Sequence, residues 1–249
     1  MNAAKSQGAG IRGILFDKDG TLIDYASTWT PLNREAALFA AAGDPELARR
    51  LLAVGGADPD TGVVRADTLF AAGATPEIAA AWIAAGSPYD LDLLVPEMDR
   101  IFQGATSTAI VPTVADPAGL FRRLRDRGLK LGVASSDGEV AIHNTLAMFG
   151  LDDLVDFVAG YDSGHGHKPN PGMVYGFCDA TGLPPGAVAM VGDNRHDMAM
   201  GRAAGVGLCV GVLTGTGTAE TLAGLADLSL PDIGGLEALL DRDGRPPEA

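Results

Sequence analysis

Ile11-Arg12-Gly13-Ile14-Leu15-Phe16 runs directly into Asp17-Lys18-Asp19-Gly20-Thr21-Leu22. The first six residues are apolar apart from Arg12, the pattern of a strand buried on both faces rather than half exposed. Two carboxylates, two residues apart, follow at its carboxyl end. That is where open parallel sheets place their ligands. Gly20 allows the chain to turn sharply there. A strand-end turn with solvated acidic residues would read the same in isolation, so the rest of the chain must decide.

Outward from this stretch, short apolar runs alternate with helical patterns. Strands are predicted at Ile11–Phe16, Leu129–Ala134, Phe157–Ala159, Ala187–Val191 and Gly207–Leu213, with a weaker one at Ala226–Leu230. Helices are punctuated by an Asp or Asn cap, often with Pro, and a terminal Gly. Asp116-Pro117 opens one that ends at Gly128, Asp137 one that ends at Gly150, and Asn170-Pro171 one that ends at Gly182. Strand–helix alternation with continuously apolar strands predicts an α/β fold, a Rossmann-like parallel sheet covered on both faces.

From Tyr25 to Ala105 the alternation stops and only helices are predicted. Thr30-Pro31 starts one that stops at Gly43. Asp44-Pro45-Glu46 starts a second, ending at Gly55-Gly56. Thr75-Pro76-Glu77 starts a third, ending at Gly86, and Ser87-Pro88 opens a last segment interrupted at Pro96. Residues 25–105 are therefore expected to form an inserted helical cap domain. Residues 1–24 and 106–249 are expected to form the α/β core, re-entered through Thr106–Thr113.

Composition bounds the rest. Of 249 residues, 47% are hydrophobic and 20% charged, which supports a sizeable core. Eighteen Lys+Arg against 32 Asp+Glu give a net charge of −14, which argues against nucleic-acid and anionic-membrane partners, since both demand a basic face. An anionic ligand would then need something other than net protein charge to hold it, and a metal ion is the obvious candidate. Cys178 and Cys209 fit neither a metal site nor a disulfide framework. The opening residues lack the apolar segment of a secretion signal, and no run reaches the ~18 apolar residues of a membrane span. The expectation is a cytoplasmic protein, monomer or homodimer.

Three other predicted strand ends carry polar residues of matching chemistry. Ser135 and Ser136 follow the second strand. Lys168 lies in the loop after the third. Gly192-Asp193-Asn194-Arg195-His196-Asp197 follows the fourth. Singly these read as a helix cap, a surface lysine and an acidic loop. Together, each at a strand terminus, they mark a site.

In these motifs the chain resembles the haloacid dehalogenase superfamily, in the form with a helical cap inserted after the first motif. The resemblance runs from Ile11 to about Leu240 and is most similar in layout to phosphoglycolate phosphatases. It implies a Mg²⁺-dependent phosphatase acting on a small phosphate ester, with phosphoglycolate as first candidate. Asp17 is implied as the nucleophile that forms an aspartyl-phosphate, and Asp19 as general acid and then base. Asp17, the Asp19 backbone carbonyl and Asp193 are implied as metal ligands, with Asp197 reaching the ion through water or supporting a ligand. Ser135 and the Ser136 N–H would bind phosphate oxygens, and Lys168 would neutralise phosphate and nucleophile. Lys18 is expected to contribute little chemistry.

Asp19 favours phosphate esters over dehalogenation, which leaves no alkoxide to protonate. The insert contains no lysine, unlike a Schiff-base phosphonate hydrolase. A phosphomutase of the β-phosphoglucomutase type would use the same residues. A regulatory phospho-accepting protein is the reading of a different class. Gly215-Thr216-Gly217 reads as a turn rather than a nucleotide loop, because the third glycine and a G-K-[ST] are absent. His165 and His167 read as loop residues rather than a metal pair. His196 reads equally as a support of the fourth motif and as a solvent-facing helix residue. The insert has a net charge of −6 with five arginines, so anion reading there needs a specific one. Arg34, beside Trp29 and Asn33 after the hinge, is the candidate, with Arg65 next, and the insert is expected to close over the site as a lid.

Overall fold

The computed structural model describes residues 10–103 and 110–243; Thr106–Ala109 of the expected re-entry segment lie outside the described residues. The chain divides into two compact units, Met1–Ile23 with Pro112–Ala249, and Asp24–Val111. The second boundary falls beyond the expected Ala105, where the Asp24 N–H donates to the Val111 carbonyl at 2.7 Å and closes the base of the helical unit.

The first unit is built on β1 (Gly13–Phe16), β2 (Lys130–Ala134), β3 (Phe157–Ala159), β4 (Val188–Gly192), β5 (Leu208–Val212) and β6 (Leu228–Leu230). All pair in parallel, in the order β3-β2-β1-β4-β5-β6. Phe16 lies opposite Val133 on one side and Val191 on the other, so the loops after β1, β2 and β4 leave the sheet side by side. The chain runs outward from β1 through β2 to β3, then returns to β4 on the far side of β1. This reversal is the switch point at which such sheets open a crevice.

β1 is buried throughout, as its unbroken apolar run requires. Phe16 stacks on Phe121 with ring centroids 4.9 Å apart. Leu15 packs with Met173, Val174, Phe177, Met190 and Met200. Glycine in a strand often marks close approach. A Cβ at Gly13 would stand 2.6 Å from Leu183 Cδ1, and one at Gly132 2.7 Å from Phe177 Cδ2.

The helical unit carries α1 (Tyr25–Ala40), α2 (Pro45–Gly55), α3 (Leu69–Ala72), α4 (Thr75–Ala84) and α5 (Leu91–Gln103). α1 starts before the expected Thr30-Pro31, because Asp24 caps it by accepting from the Ser27 N–H at 2.8 Å, and Pro31 is carried inside. α5 likewise runs through Pro96, started by Asp90 rather than Ser87-Pro88: Asp90 accepts from the Leu93 N–H, and the Ser87 hydroxyl donates to the Ala40 carbonyl instead. α2 begins and ends as expected, with Asp44 as cap and left-handed Gly56 as stop.

The first unit continues with α6 (Pro117–Asp126), α7 (Glu139–Phe149), α8 (Gly172–Thr181), α9 (Arg195–Ala204), α10 (Ala219–Leu222) and α11 (Leu236–Asp243). α7 is preceded by Gly138 in the cap position, so the Asp137 carboxylate is not the cap that was expected. Among the described residues, no helix is long and apolar enough to cross a membrane.

Trp82 anchors the helical core: it is fully buried, donates from Nε1 to the Leu51 carbonyl at 2.8 Å and meets Phe70 edge-on at 5.8 Å. Trp82→Ala should destabilise the protein by about 3–5 kcal/mol in urea unfolding, by removing a large buried ring together with its hydrogen bond to the Leu51 carbonyl. A loss below about 1 kcal/mol would mean that this core is not what holds the helices together.

Candidate active site

Three strand ends of the first unit, those of β1, β3 and β4, build one acidic cluster. Asp17 is the first residue after β1, and Asp193 the first after β4. Asp197 lies in the first turn of α9, and Lys168 comes from the loop between β3 and α8. The carboxylates of Asp17, Asp193 and Asp197 are buried, with ligand oxygens all within 4.8 Å of one another. Lys168 sits among them, its Nζ 2.5 Å from Asp17 Oδ1 and 2.6 Å from Asp197 Oδ1.

Each side chain has its own backbone reason for being there. Asp197 closes a capping box with Asn194: its Oδ2 accepts from the Asn194 N–H at 3.0 Å, and the Asn194 side chain accepts from the His196 N–H at 3.0 Å. The His196 ring is half-buried, with Nδ1 3.0 Å from Asn194 Oδ1, so it belongs to this cap rather than to open solvent. After β1 the chain curls: the Lys18 carbonyl accepts from the N–H groups of Thr21, Leu22 and Ile23. Gly20 takes φ +77°, and a Cβ on it would stand 2.6 Å from Gly215 Cα and 2.7 Å from Asp193 Cγ. Only glycine fits both the conformation and the space.

The Gly215-Thr216-Gly217 loop, expected to be a plain turn, supports Asp193. The Thr216 N–H donates to Asp193 Oδ2 at 2.7 Å and its hydroxyl at 3.3 Å. A Cβ on Gly215 or Gly217 would run into Asp193 itself. The one signal for this in the sequence was that the loop follows the strand after Asp193's own.

Ser135 follows β2 and is buried; its Oγ accepts from the Asp137 N–H at 3.1 Å, which leaves its own O–H to donate elsewhere. Ser136 is half-buried beside it. Lys18, expected to matter little, is only 3% exposed and bridges two carboxylates. Its Nζ lies 2.7 Å from Asp19 Oδ1 and 2.9 Å from Asp137 Oδ2. In the helical unit, Trp29 packs between Tyr25 and Phe102, and the Arg34 guanidinium donates to the Asp60 carbonyl at 2.9 Å. His165 packs against Phe157, and His167 stacks on Tyr161, so neither joins the acidic cluster.

Electrostatics follow from this crowding. Burial pushes Asp17 well above the usual carboxylate range; Lys168 opposes the shift, while Asp197, Asp193 and Asp19 reinforce it. Burial and Asp197 push Asp193 up to about 7, against the Thr216 N–H and Lys168. Burial disfavours the Lys168 ammonium, but Asp17 and Asp197 outweigh it and hold the charge. Three buried carboxylates crowd around one lysine, and their mutual repulsion is what raises Asp17 and Asp193 beyond burial alone. A donor set made wholly of oxygen fits a hard divalent cation.

Known proteins resemble this chain in sequence and fold. The phosphoglycolate phosphatase of Escherichia coli (strain K12) is 29% identical over 233 residues, covering 90% of this chain and 88% of that one. The phosphoglycolate phosphatase of Chromobacterium violaceum is 32% identical over 136 residues, which span 55% of this chain and 59% of the relative. Among solved structures, a predicted phosphoglycolate phosphatase from Haemophilus somnus 129PT shares the fold at TM-score 0.71 and 19% identity, covering 93% of this chain and 98% of that one. The model of the haloacid dehalogenase-like hydrolases matches residues 11–205, a span that holds every member of the acidic cluster, and the chain belongs to that family.

Proposed function

We propose that this protein is a Mg²⁺-dependent phosphatase that hydrolyses a small phosphorylated metabolite through an aspartyl-phosphate on Asp17, with phosphoglycolate as first candidate. The observation that carries the reading is Lys168 held between Asp17 and Asp197 at the sheet's switch point, with Asp19 two residues on. The names of the two bacterial relatives support the substrate class.

In the first half-reaction the Asp17 carboxylate attacks phosphorus, and the bond from phosphorus to the leaving oxygen breaks. Asp19 gives its proton to that oxygen, releasing an alcohol. In the second, water attacks the phosphorus of the aspartyl-phosphate and gives one proton to Asp19. Inorganic phosphate leaves and the Asp17 carboxylate is restored. The Ser135 hydroxyl and the Ser136 N–H hold phosphoryl oxygens, while Lys168 balances charge that moves between nucleophile and phosphate. Asp17, Asp193 and the Asp19 carbonyl would hold Mg²⁺, with Asp197 supporting the set; when bound, the ion neutralises anionic oxygens. Trp29 and Arg34 are the proposed readers of the organic part of the substrate.

The test is phosphate release from a generic aryl phosphate and a metabolite panel, with and without Mg²⁺. Mg²⁺-dependent release is expected, strongest with a small carboxylated or hydroxylated phosphate ester. Isomerised phosphosugar without free phosphate would reassign the protein as a mutase, and a stable phosphoprotein without turnover as a regulator. Asp17→Asn, nearly isosteric, should abolish turnover while far-UV circular dichroism stays unchanged; residual turnover after excluding deamidation refutes the nucleophile. Trp29→Ala and Arg34→Ala should lower activity on the best metabolite selectively over the aryl phosphate. Equal effects remove them from recognition.

The crowded carboxylates also set a pH dependence. Asp193 titrates at about 7 when folded, against the ~3.9 of an unfolded aspartate. Between those values the folded state holds a proton that the unfolded state has lost, so stability falls as pH rises through that window. In EDTA the Tm should drop by several degrees from about pH 5 to about pH 8, and saturating Mg²⁺ should remove most of the drop. A Tm that rises over this range, or ignores Mg²⁺, counts against a cation site here.

A further inference from the structure

Lys18 is a buried cation in the turn that follows β1. It is 3% exposed, and a buried ammonium is costly unless paired. Neighbouring side chains on an extended chain point to opposite faces, so Lys18 and Asp19 meet only because the loop curls around the Lys18 carbonyl. The curl brings Lys18 Nζ to 2.7 Å from Asp19 Oδ1 and 2.9 Å from Asp137 Oδ2. Asp137 is itself fixed. Its N–H donates to Ser135 Oγ at 3.1 Å, and its carbonyl accepts from the Tyr161 N–H at 2.9 Å. Gly160 leaves room for that contact, since a Cβ there would stand 2.5 Å from the Asp137 carbonyl oxygen. A continuous line of contacts therefore joins the Asp19 carboxylate, through Lys18 and Asp137, to the loop that holds Ser135.

We propose that Lys18 is a positioning residue for the reaction: by bridging Asp19 to Asp137 it fixes the Asp19 carboxylate relative to the Ser135 loop, so that proton donor and phosphoryl group are registered with one another. The inference rests on the phosphatase reading above, in which Asp19 handles the proton. An aspartate side chain left to rotate would spend most of its time out of line with the leaving oxygen, and proton transfer is steeply dependent on such alignment. Lys168 performs the corresponding service for Asp17, bridging it to Asp197. An apolar side chain at position 18 would fill the space but could not hold Asp19.

The test separates positioning from simple structural support. Wild type, Lys18→Met, Lys18→Arg, Asp137→Asn and Asp19→Ala are compared in Mg²⁺ on an alkyl phosphate and on an aryl phosphate whose phenol leaves without protonation. Lys18→Met should lower kcat on the alkyl phosphate by ~10²-fold, within the range of general acid–base help, with KM changed by less than about threefold. First-turnover release of the phenol should survive, followed by slow steady turnover as the aspartyl-phosphate waits for its water. Asp19→Ala should show the same split, and Lys18→Arg should recover most of the loss, since a guanidinium also reaches both carboxylates. Asp137→Asn should give the split at smaller size. Because Lys18→Met removes a buried charge, folding is checked by circular dichroism; should it not fold, Lys18→Arg and Asp137→Asn carry the test. Equal losses on both substrates, no loss, or an Asp137→Asn enzyme without the split would overturn the proposal. If Asp19→Ala shows the split and Lys18→Met does not, only the positioning role fails. A wild type that releases phosphate from no ester overturns the phosphatase reading and this inference with it.

Discussion

The first unit is organised around one unfavourable fact: three carboxylates are buried within 4.8 Å of one another. Like charges at that separation, away from water, oppose the fold unless cations and donors meet them. Lys168 meets two, and the Thr216 and Asn194 N–H groups meet Asp193 and Asp197. The parallel sheet with its reversal at β1 and β4 delivers these groups from several loops, because all of its carboxyl ends lie on one edge. The glycines at 20, 215 and 217 follow, since the backbone must approach Asp193 more closely than a Cβ permits. The site's electrostatics thus dictate local backbone at positions far apart in the chain.

Much of this was legible because its signals are local. The strands are apolar runs apart from Lys130 at the start of β2 and Ser229 within β6, and each lies inside or within a residue of its expected bounds. Asp17, Ser135 and Asp193 could be picked out because a polar residue just past an apolar strand has a defined location in this architecture, and Lys168 because it lies in the loop after β3. Helix starts were less legible where two capping signals competed. Thr30-Pro31 and Ser87-Pro88 are sound signals, yet Asp24 and Asp90 win, because the carboxylate accepts from the first-turn N–H groups and helices tolerate Pro31 and Pro96.

The parts that were not legible depend on pairings across the sheet. Asp137 has the look of an N-cap, and nothing nearby in sequence says that Lys18, more than a hundred residues earlier, will claim its carboxylate. Lys18 itself reads as a filler between two aspartates. Its significance comes from the register that sets Phe16 beside Val133, so that the loops after β1 and β2 share space. Thr216 was hidden similarly: the loop after β5 touches Asp193 only because β5 is the neighbour of β4. Strand order is a tertiary property, and one sequence without relatives does not reveal which strand ends are adjacent.

The placement of the cations bears on the tension between an acidic protein and an anionic ligand. A net charge of −14 repels a phosphate ester at long range, and salt shortens that repulsion to about 8 Å under physiological conditions. Within that distance the local arrangement decides. In the helical unit, Arg49 and Arg100 are engaged by Asp60 and Glu97, and Arg34 by the Asp60 carbonyl. In the first unit, Lys18 and Lys168 are buried and shared among four carboxylates. Neither lysine offers a spare charge at the surface to draw in anions unselectively. In the proposed reaction, attraction would be generated at the strand ends by backbone N–H groups, Lys168 and a divalent cation acting together, with Arg34 as the proposed contribution of the helical unit. On this argument affinity for phosphate should depend far more on divalent cation than on ionic strength, because the opposing long-range field is already screened.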